Sequence, residues 1–229
     1  MTITKWKRAK LTGTLTVTSP LHIGDGNTEP RNNASGDEVL ENSICRDAHG
    51  KPYIPASTLR GALKALFKPG VQKNTLFGYS GLGNQNGQMG ALRCYDATSS
   101  KQIDPDKDKI SRTKINSYLG TAEQHHLFTT QVVPVGFTFS IQIELDDVSE
   151  TNISCLIAAI ELLNESGNGL GRGKRTGKGR LSWTLDNLDV IDQEQIKHWL
   201  TSESSALTWK AVTHFPQADY EHCVSLAQQ

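Results

Sequence analysis

Glycine and basic residues alternate in one segment near the end of the chain, and this segment is well suited to bind an anion. Residues 167–180 read GNGLGRGKRTGKGR, with six glycines and five bases. Glycine lets backbone N–H groups approach a phosphate closely, and each lysine or arginine adds a positive charge. We therefore predict a phosphate-binding loop, with a flexible, solvated basic hairpin as the alternative. Its basic residues are Arg172, Lys174, Arg175, Lys178 and Arg180.

The surroundings of this loop exclude two common phosphate-binding motifs. A Walker A loop needs the order GxxxxGK[ST] between a strand and a helix, and the segment has neither the order nor the context. A dinucleotide-binding fingerprint also lies after a strand and before a helix. No pocket chemistry of a small-molecule enzyme accompanies the loop, so we favour RNA as its ligand.

Apolar periodicity predicts six main elements around the loop and one short helix after them. Alternation predicts strands at about residues 10–18, 91–97, 136–145 and 180–188. Helical spacing predicts helices at about 57–67, with Ser57 as the cap, at 150–166 and, shorter, at 192–200. The order strand, helix, strand, strand, helix, strand predicts an α+β protein with a ferredoxin-like core, as in the RNA-recognition motif.

Two long polar segments interrupt these elements. Residues 24–43 are too long for a plain connection, so we predict a functional loop there. Residues 98–114 are predicted to form a protruding loop or hairpin arm. The chain has no RNP1 motif, so RNA is expected on loops rather than stacked on the sheet face. Gly61 lies inside the first predicted helix, where glycine costs about 1 kcal/mol, and we expect backbone or RNA to pack closely against it.

The charge is unevenly distributed although its sum is zero. Residues 184–229 carry seven acids and two bases, a balance of −5, which leaves +5 on residues 1–183. This asymmetry favours a nucleic-acid-binding face. No stretch approaches the roughly 20 apolar residues of a membrane helix, and the sequence predicts a cytoplasmic protein. The four cysteines form no CxxC pair, so their spacing does not support a zinc site.

Three sequence features, in this order, resemble the RAMP superfamily of CRISPR-associated proteins. The first is LHIGDG at residues 21–26, the second is PYIPASTLRGALK at 52–64, and the third is the late glycine-rich loop. The segments LFG at 76–78 and 120–136 also fit, so the similarity extends over about residues 10–185. The second feature resembles the Cas-seven group of type III complexes more than the Cas-six endonucleases, and the segment at 120–136 resembles subunits of the III-D branch.

The resemblance implies a single domain that acts as a backbone subunit of a type III antiviral effector complex. Its core would span about residues 10–188, with an inserted thumb at about 98–131 and a C-terminal extension at about 189–229. Expected partners are the CRISPR RNA guide, single-stranded target RNA and other effector subunits, including a large polymerase-like subunit. No membrane partner is expected.

The resemblance also assigns roles to particular residues. Arg60 and Lys64 match positions that hold guide phosphates, and the alternative is an ordinary solvated helix face. His22 matches a position near RNA, although a single histidine is often structural. In the thumb, several bases are candidates for phosphate contacts: Lys101, Lys107, Lys109, Arg112 and Lys114.

The implied catalytic position departs from the family pattern. Where the family has an aspartate six residues before Asp47, this chain has Glu41. Asp37 could supply the carboxylate if the loop is shifted, while Asp25 and Asp47 suit turns. Cleavage of target RNA would use Mg²⁺ or Mn²⁺ and demands strict alignment, so one extra methylene matters. The alternatives are a structural subunit without catalysis and a Cas-six-like endonuclease that processes precursor RNA.

Overall fold

The first strand shows the alternation that the sequence predicts, and it forms the centre of the main sheet. In the computed structural model, β1 (Lys5–Val17) pairs antiparallel with a strand on each side. Alternate residues Leu11, Leu15 and Val17 are buried, and the threonines between them are not. The structure describes residues 5–32, 38–81, 86–115, 118, 122–165, 169–201 and 207–219.

The other elements follow in chain order. The helices are α1 (Ala56–Leu66), α2 (Val71–Phe77), α3 (Glu150–Glu165) and α4 (Gln193–Thr201), with a 3-10 turn at Lys174–Thr176. The strands after β1 are β2 (Gly24–Asn32), β3 (Glu38–Ile44), β4 (Tyr53–Ile54), β5 (Gly78–Tyr79), β6 (Gln88–Met89), β7 (Leu92–Cys94), β8 (Ala97–Thr98), β9 (Lys109–Ile115), β10 (Ala122–Gln131), β11 (Thr138–Ser149), β12 (Leu181–Ile191) and β13 (Lys210–Ala211).

The main sheet has the order β13–β12–β1–β11–β8–β4, and β7 also pairs with β11. The paired strands run antiparallel, and α1 and α3 pack together over the buried face. The helices bury the apolar residues that periodicity assigned to them, among them Leu59, Leu63, Ile153 and Leu156. The α+β prediction is therefore confirmed, and the order β12–β1–β11–β7 supports the ferredoxin-like interpretation of the core.

A second sheet includes strands from both of the long polar segments. Its order is β2–β3–β10–β9, with β3 parallel to β10 and the other neighbours antiparallel. The prediction of a loop at residues 24–43 is therefore wrong where β2 and β3 form, while a functional role of the segment stays a prediction. The hairpin-arm alternative for 98–114 fits β9, which pairs with β10. Few apolar residues alternate in these strands because one face of this sheet lines a polar cavity, so hydrophobic periodicity does not reveal them.

The second predicted strand of the core is broken, and the break caps a helix. β7 and β8 are separated by Tyr95 and Asp96, and the Oδ1 atom of Asp96 accepts the backbone N–H of Ala56 at 2.7 Å. The prediction that Ser57 caps α1 is therefore wrong, since α1 begins at Ala56 after Pro55. In the described part of the chain, no helix has the length and apolar composition needed to cross a membrane.

The expected close packing of backbone against Gly61 is not observed among the described residues, and close packing of RNA there stays a prediction. In the described part of the structure, no heavy atom lies within 4 Å of the position that a Cβ atom would take at this exposed helical site. We therefore predict that Gly61→Ala raises the free energy of unfolding by about 1 kcal/mol, because alanine loses less backbone entropy in a helix. Chemical denaturation measures this change.

The control is Gly13→Ala in β1, where the same methyl group would lie 2.1 Å from the carbonyl oxygen of Thr184. This variant should lower the free energy of unfolding. A decrease for Gly61→Ala would mean that helix propensity does not control this position.

Candidate nucleic-acid interface

The glycine-rich loop, residues 169–180, docks on the segment that follows β1. The N–H of Arg172 donates to the carbonyl oxygen of His22 at 2.9 Å, and the N–H of Gly179 donates to that of Pro20 at 3.0 Å. At the base of the loop, Leu170 donates to the carbonyl oxygen of Gly179 at 2.8 Å and is itself buried. These bonds argue against a flexible, solvated hairpin.

Two glycines are required for this docking. A Cβ atom at Gly171 would lie 2.1 Å from the carbonyl oxygen of His22, and one at Gly179 would lie 2.0 Å from that of Leu170. Both glycines have positive φ angles, +75° and +79°, which side chains disfavour. These glycines therefore serve the close approach of two backbone segments. The N–H groups of Arg172 and Gly179 already bond to protein, so anion binding depends more on side chains than the sequence prediction assumed.

The docked loop encloses a cavity of about 410 Å³ against the second sheet. Residues from β3, β9, β10, the segment after β1 and the loop contribute to the cavity. Its lining residues are His22, Asn42, Arg112, Thr130, Arg172, Gly173, Thr176 and Lys178. Residues far apart in sequence therefore share one site.

The cavity has the electrostatics of an anion site. Arg112, Arg172 and Lys178 line it, and among the described lining residues no carboxylate balances them. The pKa of Lys178 is lowered by burial and then by the positive charge of Arg112. A bound phosphate would relieve this repulsion, because it places negative charge between cations that the fold holds together.

His22 lines the cavity, and its surroundings favour the neutral imidazole. It is 3% exposed, and its Nδ1–H donates to the carbonyl oxygen of Gln131 at 2.8 Å. The pKa of His22 is lowered by burial, with a further contribution from Arg172 and Lys178, and the Gln131 bond and Asp25 oppose this only in part. A carbonyl oxygen can only accept, so the proton of the neutral ring lies on Nδ1 and Nε2 is an acceptor.

A second cavity of about 250 Å³ adjoins the first and is lined by amide and hydroxyl groups. It shares His22, Asn42 and Arg172 with the first cavity and adds Gly24, Gly26, Asn27, Thr28 and Ser43. Beside it, Asp25 accepts hydrogen bonds from the Asn27 N–H at 2.9 Å and the Ser43 hydroxyl at 2.8 Å. Burial raises the pKa of Asp25, but these hydrogen bonds outweigh it and hold that pKa below its ordinary value.

Glu41 lies in the middle of β3 as a buried hydrogen-bond acceptor. It is 3% exposed, and its Oε1 atom accepts a hydrogen bond from the side-chain amide of Gln131. Arg46 donates to the other end of the same amide, so Gln131 connects the two charged groups. Glu41 does not line either of the two described cavities, whereas its neighbour Asn42 lines both, since successive side chains of a strand point to opposite faces.

The other predicted site residues do not line the two described cavities. Arg60 donates to the carbonyl oxygen of Phe77 at 2.6 Å and lies over the Phe77 ring, so it holds α1 to α2. Lys64 is half-buried in the last turn of α1. In the loop, Lys174, Arg175 and Arg180 are exposed to solvent. Asp37 lies outside the described residues.

Sequence reasoning missed two residues that organise the site. Asn42 lies between the cavities, and Gln131 holds both the His22 ring and the Glu41 carboxylate. Asn42 carries no motif signal. Gln131 belongs to a segment that fits the family, but no spacing in the sequence links it to His22. Asp47 forms a turn as predicted, since its Oδ1 atom accepts the N–H groups of His49 and Lys51 at 2.9 Å.

The fold and the site define an α+β protein with a loop-built cationic cavity, a class suited to binding a polyanion. The chain belongs to the RAMP superfamily, whose pattern matches residues 14–182. This membership makes it a CRISPR-associated RNA-binding subunit. No curated protein matches the chain.

The pKa of His22 can be tested directly. We predict that NMR titration of the His22 ring gives a pKa below the ordinary 6.5, with the proton of the neutral form on Nδ1. Arg172→Ala and Lys178→Ala should each raise this pKa, because each removes a positive charge that disfavours the imidazolium form. An unshifted His22 would contradict the buried, neutral ring.

Proposed function

We propose that this chain is a guide-RNA-binding backbone subunit of a type III CRISPR effector complex. The main support is the cavity in which Arg112, Arg172 and Lys178 surround the neutral His22. The resemblance of residues 52–64 to the Cas-seven group supports the type III assignment. In this proposal the guide phosphates contact the basic side chains. Neighbouring subunits, a large polymerase-like subunit among them, extend the assembly, and the complex binds target RNA by base pairing with the guide.

The observed site favours binding of a strand over binding of a single phosphate. The cationic cavity adjoins an amide-lined cavity, and Lys174 and Arg175 extend the positive charge along the exposed side of the loop. A polyanion can use all of these groups at once, because its charges repeat along the chain. Proteins that bind single strands without sequence preference commonly combine such a basic groove with stacking groups.

The salt dependence of RNA binding tests this proposal. Replacement of Arg172, Lys174, Arg175 and Lys178 by alanine should weaken binding of single-stranded guide RNA. It should also reduce the slope of log affinity against log salt by roughly 2 to 3, since each phosphate contact contributes about 0.7. Fluorescence anisotropy at several salt concentrations measures this slope.

The matched control removes the same charge elsewhere. Lys7, Arg93 and Lys197 form ion pairs away from the cavity, and Lys210 is exposed in β13. Alanine at these four positions also removes four positive charges but should leave the slope nearly unchanged. Equal losses in both variants would mean that net charge, and not the loop, drives binding.

Cleavage of target RNA is a separate prediction, which rests on the resemblance. Of the two carboxylates named for it, Glu41 is buried and engaged by Gln131, and Asp37 lies outside the described residues. Among the described residues, no three His, Cys, Asp or Glu side chains come together as metal ligands. Because Mg²⁺ is commonly bound by only one or two carboxylates together with substrate phosphates, a divalent cation stays a prediction along with the cleavage. Precursor-RNA processing, the Cas-six-like alternative, would use His22 or another histidine and stays a prediction as well.

Cleavage assays on the assembled complex distinguish the carboxylates. We expect Glu41→Gln to keep the cut, because the amide oxygen still accepts the Gln131 hydrogen bond while the charge is lost. Asp37→Ala should remove the cut at the position that this subunit covers, if the subunit is catalytic. Loss of the cut in Glu41→Gln alone would assign catalysis to Glu41 and require the β2–β3 hairpin to rearrange. An unchanged product pattern in both variants would mean a purely structural subunit.

The isolated chain tests the processing alternative. Incubation with repeat RNA should give no product if the chain only binds the guide. A product that is lost in His22→Leu would support the endonuclease instead.

A further inference from the structure

The His22 ring is held so that one hydrogen-bonding atom is left for a ligand. In the described part of the chain, the ring forms a hydrogen bond only through Nδ1, to the carbonyl oxygen of Gln131. Glu41 and Arg46 hold the side chain of Gln131 at its two ends, so the carbonyl that orients the ring belongs to an anchored residue. The unprotonated Nε2 atom remains as an acceptor at the wall that the two cavities share.

Gly24 keeps this acceptor accessible. A Cβ atom at Gly24 would lie 3.1 Å from Nε2 of His22, closer than side chains normally pack. The backbone of Gly24 does not have a positive φ angle, so conformational freedom does not require glycine here. The absence of a side chain therefore leaves space in front of Nε2, on the side of the amide-lined cavity.

The two cavities differ in the chemistry that they offer. Only the larger one has Arg112 and Lys178, which suit a phosphate. Only the smaller one has Asn27 and Thr28, which suit a nucleoside, while Arg172 and Asn42 line both. His22 lines both, so a nucleotide that fills them has its ribose beside the ring.

We propose that Nε2 of His22 accepts a hydrogen bond from the ribose 2′-hydroxyl of one bound nucleotide, so that the site selects RNA over DNA. This inference rests on the proposed function, because it assumes that the two cavities hold the strand. The basic side chains of the larger cavity can only donate hydrogen bonds, and they would contact the phosphates, which RNA and DNA share. A 2′-hydroxyl is the group that distinguishes the two nucleic acids, and a neutral imidazole is a suitable acceptor for its proton.

Nucleotide analogues test the hydrogen bond without changing the protein. Three forms of one short single strand are compared with the full chain by anisotropy: 2′-hydroxyl, 2′-deoxy and 2′-fluoro. The 2′-fluoro sugar keeps the pucker of RNA but has no proton to donate. We expect it to bind as weakly as the 2′-deoxy strand, about 2- to 12-fold more weakly than RNA, the range of one net hydrogen bond. A 2′-fluoro strand that binds as tightly as RNA would overturn the proposal, because sugar shape would then be the feature recognised.

Two variants test whether the preference for RNA over DNA depends on His22. His22→Leu removes the acceptor, and Gly24→Ala crowds it while the histidine stays, so both should bring the affinities for RNA and DNA together. His49→Leu, at an exposed histidine outside the cavities, should leave the ratio of the two affinities unchanged. A thermal unfolding curve for each variant shows whether it folds. If His22→Leu fails to fold, Gly24→Ala and the analogue series decide. Retention of the RNA preference in the folded variants would overturn the proposal.

Arg172→Ala distinguishes failure of this inference from failure of the proposed function. Loss of a phosphate contact should weaken RNA and DNA by the same factor and leave their ratio intact. If Arg172→Ala changes neither affinity, the cavity does not bind the strand and both proposals fail. If it weakens both while His22→Leu leaves the ratio intact, the strand binds there but His22 does not recognise the 2′-hydroxyl.

Discussion

The close contact between the glycine-rich loop and the segment after β1 controls the rest of the site. Two backbone segments, about 150 residues apart in sequence, approach until the N–H of Arg172 bonds to the carbonyl oxygen of His22. Only glycine at position 171 permits this distance, since any Cβ atom would lie 2.1 Å from that oxygen. The contact brings Arg172 and Lys178 of the loop into the same cavity as His22, and it closes the cavity against the second sheet.

The fold then holds positive charge and a neutral histidine together. Burial and the nearby cations Arg172 and Lys178 both disfavour the imidazolium form of His22, so its pKa is lowered. The cations also repel one another, as the lowered pKa of Lys178 beside Arg112 indicates. This repulsion between like charges destabilises the folded protein, and a bound phosphate would offset it by adding negative charge between the cations. Binding of an anion and stability of the loop are therefore coupled.

The buried Glu41 illustrates how a position in a motif can have a different physical role. Its carboxylate lies on the opposite face of β3 from the cavity and accepts the amide of Gln131, whose carbonyl orients His22. A buried carboxylate that hydrogen bonds to an amide stabilises the local network, but it has little access to a substrate. In this arrangement Glu41 contributes to the site by orienting groups in it.

Sequence periodicity determined the four core strands β1, β7, β11 and β12 and the helices α1 and α3, because their apolar residues recur at the period of the element that buries them. The glycine and base content of residues 167–180 also indicated the anion-binding loop. Only the tertiary structure decided which residues meet across the cavity. β2, β3 and β9 carry polar residues on the face that lines the two cavities, so their strands have no hydrophobic signature. Asn42, Arg112 and Gln131 join His22 through pairing of β3, β9 and β10, and such long-range pairing leaves no local pattern in the sequence.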